Sequence, residues 1–251
     1  MTRRLVLFLR EPVAGRVKTR LAAGIGVAAA TAFYRVMASA AVRRLGTDPR
    51  WSLTLAVTPD RWRPAPPLFP GAFDVAPQGR GDIGQRMARL ARLHGDGDVV
   101  IAGTDIPDLR PAHVAAAFRA LGQSDMVFGP AMDGGFWLVG YRASAARKAA
   151  FGEVRWSGPR ALADSLAHLG AMKVSLLAPL SDVDDVADYR AFRQRSGQVF
   201  LQPRHQFDEV AGPVPAVELV AQDIVPRILA GAGGTGQGEE VGAAGNPAGC
   251  A

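Results

Sequence analysis

Cysteine is almost absent from this chain. The one cysteine, Cys250, lies in a Gly/Ala-rich stretch at the C-terminus, which excludes an internal disulfide and a cysteine-ligated metal. Lysine is nearly as scarce: only Lys18, Lys148 and Lys173 stand among the 29 basic residues. The four histidines, His94, His113, His168 and His205, have no metal-ligand spacing, and neither a Ser-His-Asp arrangement nor a nucleophile elbow occurs. No apolar run approaches the ~20 residues of a membrane span. Arg3 and Arg4 before Leu5 to Leu9 have the outline of a signal peptide, but Arg10 and Glu11 close the run too early, so a cytoplasmic protein with no membrane partner is expected. The net charge of +6 is spread over scattered arginines, with no basic run interleaved with aromatics, which argues against a nucleic-acid partner. Such a composition suits phosphorylated small molecules.

What is present is a chain of 251 residues with 48% hydrophobic content, enough for one sizeable core. Short apolar runs alternate with helical periodicities along most of it. Arg4 to Leu9 reads as a buried first strand, followed by a basic loop and an Ala-rich helix over Val27 to Leu45. Ser52 to Thr58 and Phe73 to Ala76 read as strands, and a helix runs to about Leu93. Asp98 to Thr104 is the central strand, and Pro111 opens the next helix at its first turn. Asp125 to Gly129, a strand from Phe136, two short helices (Ala143 to Phe151 and Pro159 to Leu169), Met172 to Leu177 and a helix from Val186 to about Arg195 complete the pattern. This order predicts an α/β fold: one three-layer domain with a mainly parallel central sheet. The expected division is 1–198 for this domain, 199–230 for an extension with an edge strand and a helix, and 231–251 for a disordered tail.

Chemistry concentrates at the expected strand ends. In an open α/β sheet, ligands bind in the crevice at the carboxyl ends of parallel strands. Asp105 sits where the central strand stops, in Gly-Thr-Asp-Ile-Pro, and Asp182 and Asp184 follow the last core strand. A hard divalent cation uses one or two such carboxylates together with substrate phosphate oxygens, so Asp105 with Asp182 or Asp184 fits a metal site. Taken singly, each of these aspartates also fits a turn or a helix cap. The loop Glu11 to Leu21 carries Arg16, Lys18 and Arg20 after Pro12 and Gly15. It offers cations and backbone N–H groups to a polyphosphate, without the spacing of a Walker A loop. Lys18 is the only lysine in the first 147 residues of an arginine-rich chain, which points to a need for an ammonium there. Asp133-Gly134-Gly135 fits either a ligand-approaching turn or a plain hairpin, and Trp156-Ser157 fits either an acceptor contact or an anchor with a helix cap.

Taken in order, six segments resemble the GT-A-like transferase family called radical-SAM/selenodomain-associated transferase 1, in the nucleotide-diphospho-sugar transferase superfamily. They are Pro12-Val-Ala-Gly15-Arg-Val-Lys18-Thr-Arg20-Leu21, Gln78-Gly79 with Gly84-Gln-Arg86-Met87, Gly103-Thr-Asp105-Ile-Pro107, Gly129-Pro-Ala-Met-Asp133-Gly-Gly135, Trp156-Ser157 and Asp182-Val-Asp184. The first is also similar, more distantly, to the phosphate loop of phospholactate guanylyltransferases and molybdenum-cofactor nucleotidyltransferases. The resemblance implies a GT-A-type fold and a nucleotide-utilising transferase. Lys18 and Arg20 would neutralise donor phosphates, and Asp105 would ligate Mg²⁺, or Mn²⁺ in its place, with Asp184 or Asp182 completing the set. Pro12, Gly15, Gly79, Arg86, Asp133, Gly134, Gly135, Trp156 and Ser157 would contact substrates. Many relatives have lysine where this chain has Arg10. Three functions remain open: nucleotidyl transfer from a nucleoside triphosphate to a small phosphorylated acceptor, glycosyl transfer from a nucleotide sugar, and nucleotide binding without turnover.

Overall fold

The computed structural model describes residues 2–146, 150–199 and 217–220. The first strand, β1 (Arg3–Arg10), shows why the sheet is buried on both faces. Its side chains alternate, so Leu5, Leu7 and Leu9 enter one core while Val6 and Phe8 face the other. The same alternation recurs in β2 (Ser52–Thr58) and β4 (Asp98–Ala102). Helices α2 (Val27–Gly46) and α4 (Pro111–Ala120) cover the first core, through residues such as Tyr34, Val42, Val114 and Phe118. Helices α3 (Ile83–Leu93) and α5 (Ala161–Ala167) cover the second through Met87, Leu90, Leu162 and Leu166. The result is the expected three-layer α/β arrangement.

Among the described residues, eight strands form one sheet in the order β3-β2-β1-β4-β6-β5-β7-β8, adding β3 (Asp74–Pro77), β5 (Met126–Pro130), β6 (Phe136–Tyr141), β7 (Lys173–Leu176) and β8 (Val217–Val220). Pairs β1–β2, β1–β4, β2–β3 and β5–β7 are parallel. Strand β6 is antiparallel to both β4 and β5, so it reverses direction between them, and β8 is antiparallel to β7. Two consequences position the site. The carboxyl ends of β1, β2, β3, β4, β5 and β7 all reach the same edge of the sheet. The turn joining β5 to β6, which contains Asp133, returns the chain from that edge.

The structure differs from the sequence expectation in three places. A seven-residue helix, α1 (Thr19–Ile25), lies between the basic loop and α2, where Gly24 and Gly26 read as breaks. Gly24 is instead a contact: a Cβ there would meet Val186 Cβ at 2.8 Å, at the start of α6 (Val186–Val199). The helix expected over Ala143 to Phe151 is replaced by turns over residues 143–146, with 147–149 outside the described residues. The helix expected from Pro159 starts only at Ala161, with Arg160 rather than Ser157 at its N-cap. The tail 231–251 and the helix expected within 199–230 lie outside the described residues.

Candidate functional site

Site geometry starts with the loop that leaves β1. Val17 is buried and anchors it, while the Arg10 guanidinium donates to the Arg16 carbonyl at 3.2 Å and closes it. The Tyr34 hydroxyl accepts from the Arg10 N–H at 2.9 Å, so α2 pins the point where β1 ends. The loop hands over to α1 at Lys18, whose backbone is left-handed at φ 48° and ψ 48°. Only a few per cent of non-glycine residues adopt a positive φ, and such strain persists where the surroundings over-determine it. Here the constraint is electrostatic. Lys18 Nζ donates to Asp105 Oδ2 at 2.7 Å and to Asp184 Oδ1 at 2.6 Å.

The two aspartates are delivered by other elements. Asp105 follows β4, and Gly103 allows the turn, since a Cβ there would meet Asp105 Oδ1 at 2.8 Å. Asp182 and Asp184 lie in a segment without regular secondary structure after β7, flanking fully buried Val183, and their carboxylates converge. The Val183 N–H donates to the Asp105 carbonyl at 3.3 Å and ties the two acidic loops together. Asp185 and Asp188 are used up in structure: Asp185 Oδ1 accepts from the N–H groups of Ala187 and Asp188, and Asp188 Oδ2 accepts from those of Asp184 and Asp185. Arg20, on the first turn of α1, donates to the second oxygen of Asp184.

Carboxylate oxygens of Asp105, Asp182 and Asp184 all lie within 4.8 Å of one another. An all-oxygen set of this kind suits a hard divalent cation. Its electrostatics are uneven. Burial pushes the Asp182 carboxyl up to about 6, with Asp184, Asp105 and Asp133 adding repulsion that Lys18 only partly offsets. Burial also works against an ionised Asp184, but Lys18 and Arg20 outweigh it and hold that carboxyl below its ordinary value. Burial alone would lower the Lys18 ammonium, yet Asp105 and Asp184 hold it above its ordinary value.

Lys18, Arg20, Asp105 and Asp184 line a cleft of about 710 Å³. The sequence-derived residues Lys18, Arg20, Arg86, Asp105, Gly135, Trp156, Ser157 and Asp184 meet in its wall. Asp182 joins them through the acidic cluster. Arg86 is placed by the start of α3, where Asp82 Oδ1 accepts from the Gln85 N–H at 2.8 Å and Gln85 returns a bond to the Asp82 N–H. Ser157 is the second residue besides glycine with a positive φ among the described residues, at 63°.

Other expected contacts lie outside this wall. Pro12 and Gly15 shape the loop, with Gly15 at φ 76° in open space. Gly79 donates its N–H to Asp60 and packs against Arg89. Gly134, at φ 85°, faces Pro159, and its carbonyl accepts from the Leu162 N–H. Asp133 is exposed and accepts from the Gly135 N–H at 2.9 Å.

Sequence reasoning placed Gln78 and Met87 within a motif but assigned no role to this further part of the cleft wall. Gln78 is buried, and its amide nitrogen donates to the Ala56 carbonyl at 2.8 Å, so its orientation is fixed. Phe8, Ile83, Met87 and Phe136 add an apolar wall beside Trp156. Their inward positions on β1, α3 and β6 are visible in the periodicity. That they share one cleft is not.

Residues 41–158 match the family described as "Uncharacterized protein conserved in bacteria (DUF2064)". That segment contains Asp105 and Asp133 and leaves out Lys18 and Asp184. Among solved structures, the chain is similar to a provisionally named nucleotide-diphospho-sugar transferase from Desulfovibrio desulfuricans G20. The identity is 26%, over 83% of this chain and 91% of that one, with a TM-score of 0.71. It also shares the fold of a nucleotidyl transferase from Methanothermobacter thermautotroptrophicus, at 13% identity over 79% of this chain and 99% of that one, with a TM-score of 0.50. No curated protein matches the chain. The fold and the DUF2064 segment agree with the superfamily that the six motifs indicated, the nucleotide-diphospho-sugar transferases.

Proposed function

We propose that the protein is a divalent-cation-dependent nucleotidyltransferase, moving a nucleotidyl group from a nucleoside triphosphate to a small phosphorylated acceptor with release of pyrophosphate. The observation that carries this reading is the meeting of Lys18 and Arg20 with Asp105 and Asp184 in the wall of the cleft. Asp105, Asp182 and Asp184 would hold Mg²⁺, or Mn²⁺ in its place. The cation supplies Lewis-acid polarisation of a phosphate oxygen and charge neutralisation. Lys18 and Arg20 bring two further positive charges to the departing pyrophosphate, whose negative charge grows as the bond to the α-phosphate breaks. Arg10 and Arg86 also line the cleft, and among the described residues neither has a carboxylate partner. Two such guanidinium groups suit a second anion, the acceptor phosphate. An anionic acceptor needs no strong base, so catalysis rests on positioning and charge. Gln78, with its amide nitrogen committed to the sheet, presents its carbonyl oxygen to a base N–H, and Phe8, Ile83 and Met87 offer the base an apolar rest.

A second reading, glycosyl transfer from a nucleotide sugar, is favoured by the name of the Desulfovibrio protein. It requires an acceptor base, for which exposed Asp133 is the candidate at the carboxyl end of β5. One experiment separates the two. Purified protein with Mg²⁺ is screened against each nucleoside triphosphate and nucleotide sugar by thermal shift, and then, with a panel of small phosphorylated and hydroxyl acceptors added, by pyrophosphate or nucleoside diphosphate release. The first reading expects stabilisation by a triphosphate and pyrophosphate release. Response to UDP- or GDP-sugars alone overturns it in favour of the second, and binding of a nucleotide without turnover of any substrate leaves a binding protein.

A further inference from the structure

Resting on the proposed cation site, we infer that Lys18 is its resident counter-ion, excluding free divalent cations until a polyphosphate draws the ammonium away. The ligand recognised is therefore the metal–polyphosphate chelate, and neither free metal nor free nucleotide binds well alone.

Two of the three candidate ligands already hold a cation. The Lys18 ammonium lies 2.7 Å from Asp105 Oδ2 and 2.6 Å from Asp184 Oδ1, and Arg20 occupies the other Asp184 oxygen. Three carboxylates face two positive charges, which leaves a weak field for a divalent ion. The two cations differ in how easily they leave. The Arg20 side chain is 68% exposed and can return to water, whereas that of Lys18 is 6% exposed. An ammonium buried this far stays paired unless it is offered another anion at close range, because an unpaired buried charge is strongly disfavoured. A triphosphate in the cleft is such an anion. Lys18 then passes from carboxylate to phosphate, and the freed oxygens become available to the metal. The left-handed backbone at Lys18 favours this exchange, since the strained residue is held by ion pairs that the exchange removes.

The prediction has an unusual sign, because removal of a phosphate-binding lysine strengthens metal binding in the absence of phosphate. Metal-stripped wild-type protein, Lys18→Met and Asp182→Asn are titrated with Mn²⁺, with free Mn²⁺ read by electron paramagnetic resonance. Without polyphosphate, Lys18→Met is expected to bind Mn²⁺ about tenfold tighter than wild type or more. Inorganic tripolyphosphate, after correction for its own Mn²⁺ complex, is expected to tighten Mn²⁺ binding to wild type by about tenfold or more, and to Lys18→Met much less; linkage makes the effect reciprocal. Equal or weaker Mn²⁺ binding by Lys18→Met overturns the inference and leaves the metal site standing. So does wild-type affinity that ignores tripolyphosphate, a measurement that needs no folded variant. Absence of Mn²⁺ binding under every condition, or unchanged binding in Asp182→Asn, overturns the metal site itself.

Discussion

Asp182→Asn makes the sharpest test of the site's electrostatics, because it should stabilise the metal-free protein while removing a metal ligand. The folded chain holds the Asp182 carboxyl proton up to about pH 6, against an ordinary value of 3.8. Between those values the folded state binds more protons than the unfolded state. Stability from this group is therefore greatest at the acid end and falls as pH rises through the window. The full displacement corresponds to about 3 kcal/mol. Asp182 is only half-buried, so solvent screening reduces this to about 1.5 kcal/mol. Asparagine matches the protonated acid in shape and cannot ionise. Urea unfolding of both proteins in chelator should give equal stabilities near pH 4, and an advantage of about 1.5 kcal/mol for the variant at pH 7.5. Saturating Mn²⁺ together with tripolyphosphate at pH 7.5 should reverse the order, since a ligand bound by the folded state alone stabilises it by mass action. A variant less stable than wild type at pH 7.5 in chelator, or an advantage that persists unchanged at pH 4, refutes the reasoning.

Three other substitutions probe separate parts of the architecture. Asp105→Asn should weaken Mg²⁺-dependent nucleotide binding about a hundredfold, measured by calorimetry with and without chelator; unchanged binding removes Asp105 from the site. Lys18→Ala should weaken triphosphate binding more than monophosphate binding, by about tenfold between the two, and equal losses argue against a contact beyond the α-phosphate. Gly134→Ala should cost about 2 kcal/mol in urea unfolding, because its φ of 85° disfavours a side chain and a Cβ would collide with the Pro159 carbonyl. A neutral effect would show that the β5–β6 turn is free to move from Pro159.

The sheet was legible because burial on both faces leaves a periodic trace. Strand β2 occupies the expected residues Ser52–Thr58, and α2, α3 and α4 fall close to the expected spans. Strand ends were readable for the same reason, which is why Asp105 could be placed at the carboxyl end of β4. Helix α1 was not readable, since a glycine that breaks a helix and one that admits a neighbouring helix look alike in one dimension. Gly24 is the second kind, fitted to Val186. The antiparallel return of β6 against β5 was legible as the hairpin that Asp133-Gly134-Gly135 allows, since so short a connection cannot join parallel strands, but the insertion of β6 between β4 and β5 left no trace, because its side chains are buried equally in either place.

By itself the sequence determined which residues line the two cores, where the strands stop, and that a scarce lysine and several aspartates stand just beyond those stops. Only the tertiary structure decided how they pair. Lys18 is 87 positions from Asp105 and 166 from Asp184, and nothing local distinguishes Asp184, which takes Lys18 and Arg20, from Asp182, which takes neither. That choice depends on distance through space and on the water that burial removes. Both are properties of the folded chain, because Coulomb interactions and desolvation act between groups that the sheet brings together from remote segments.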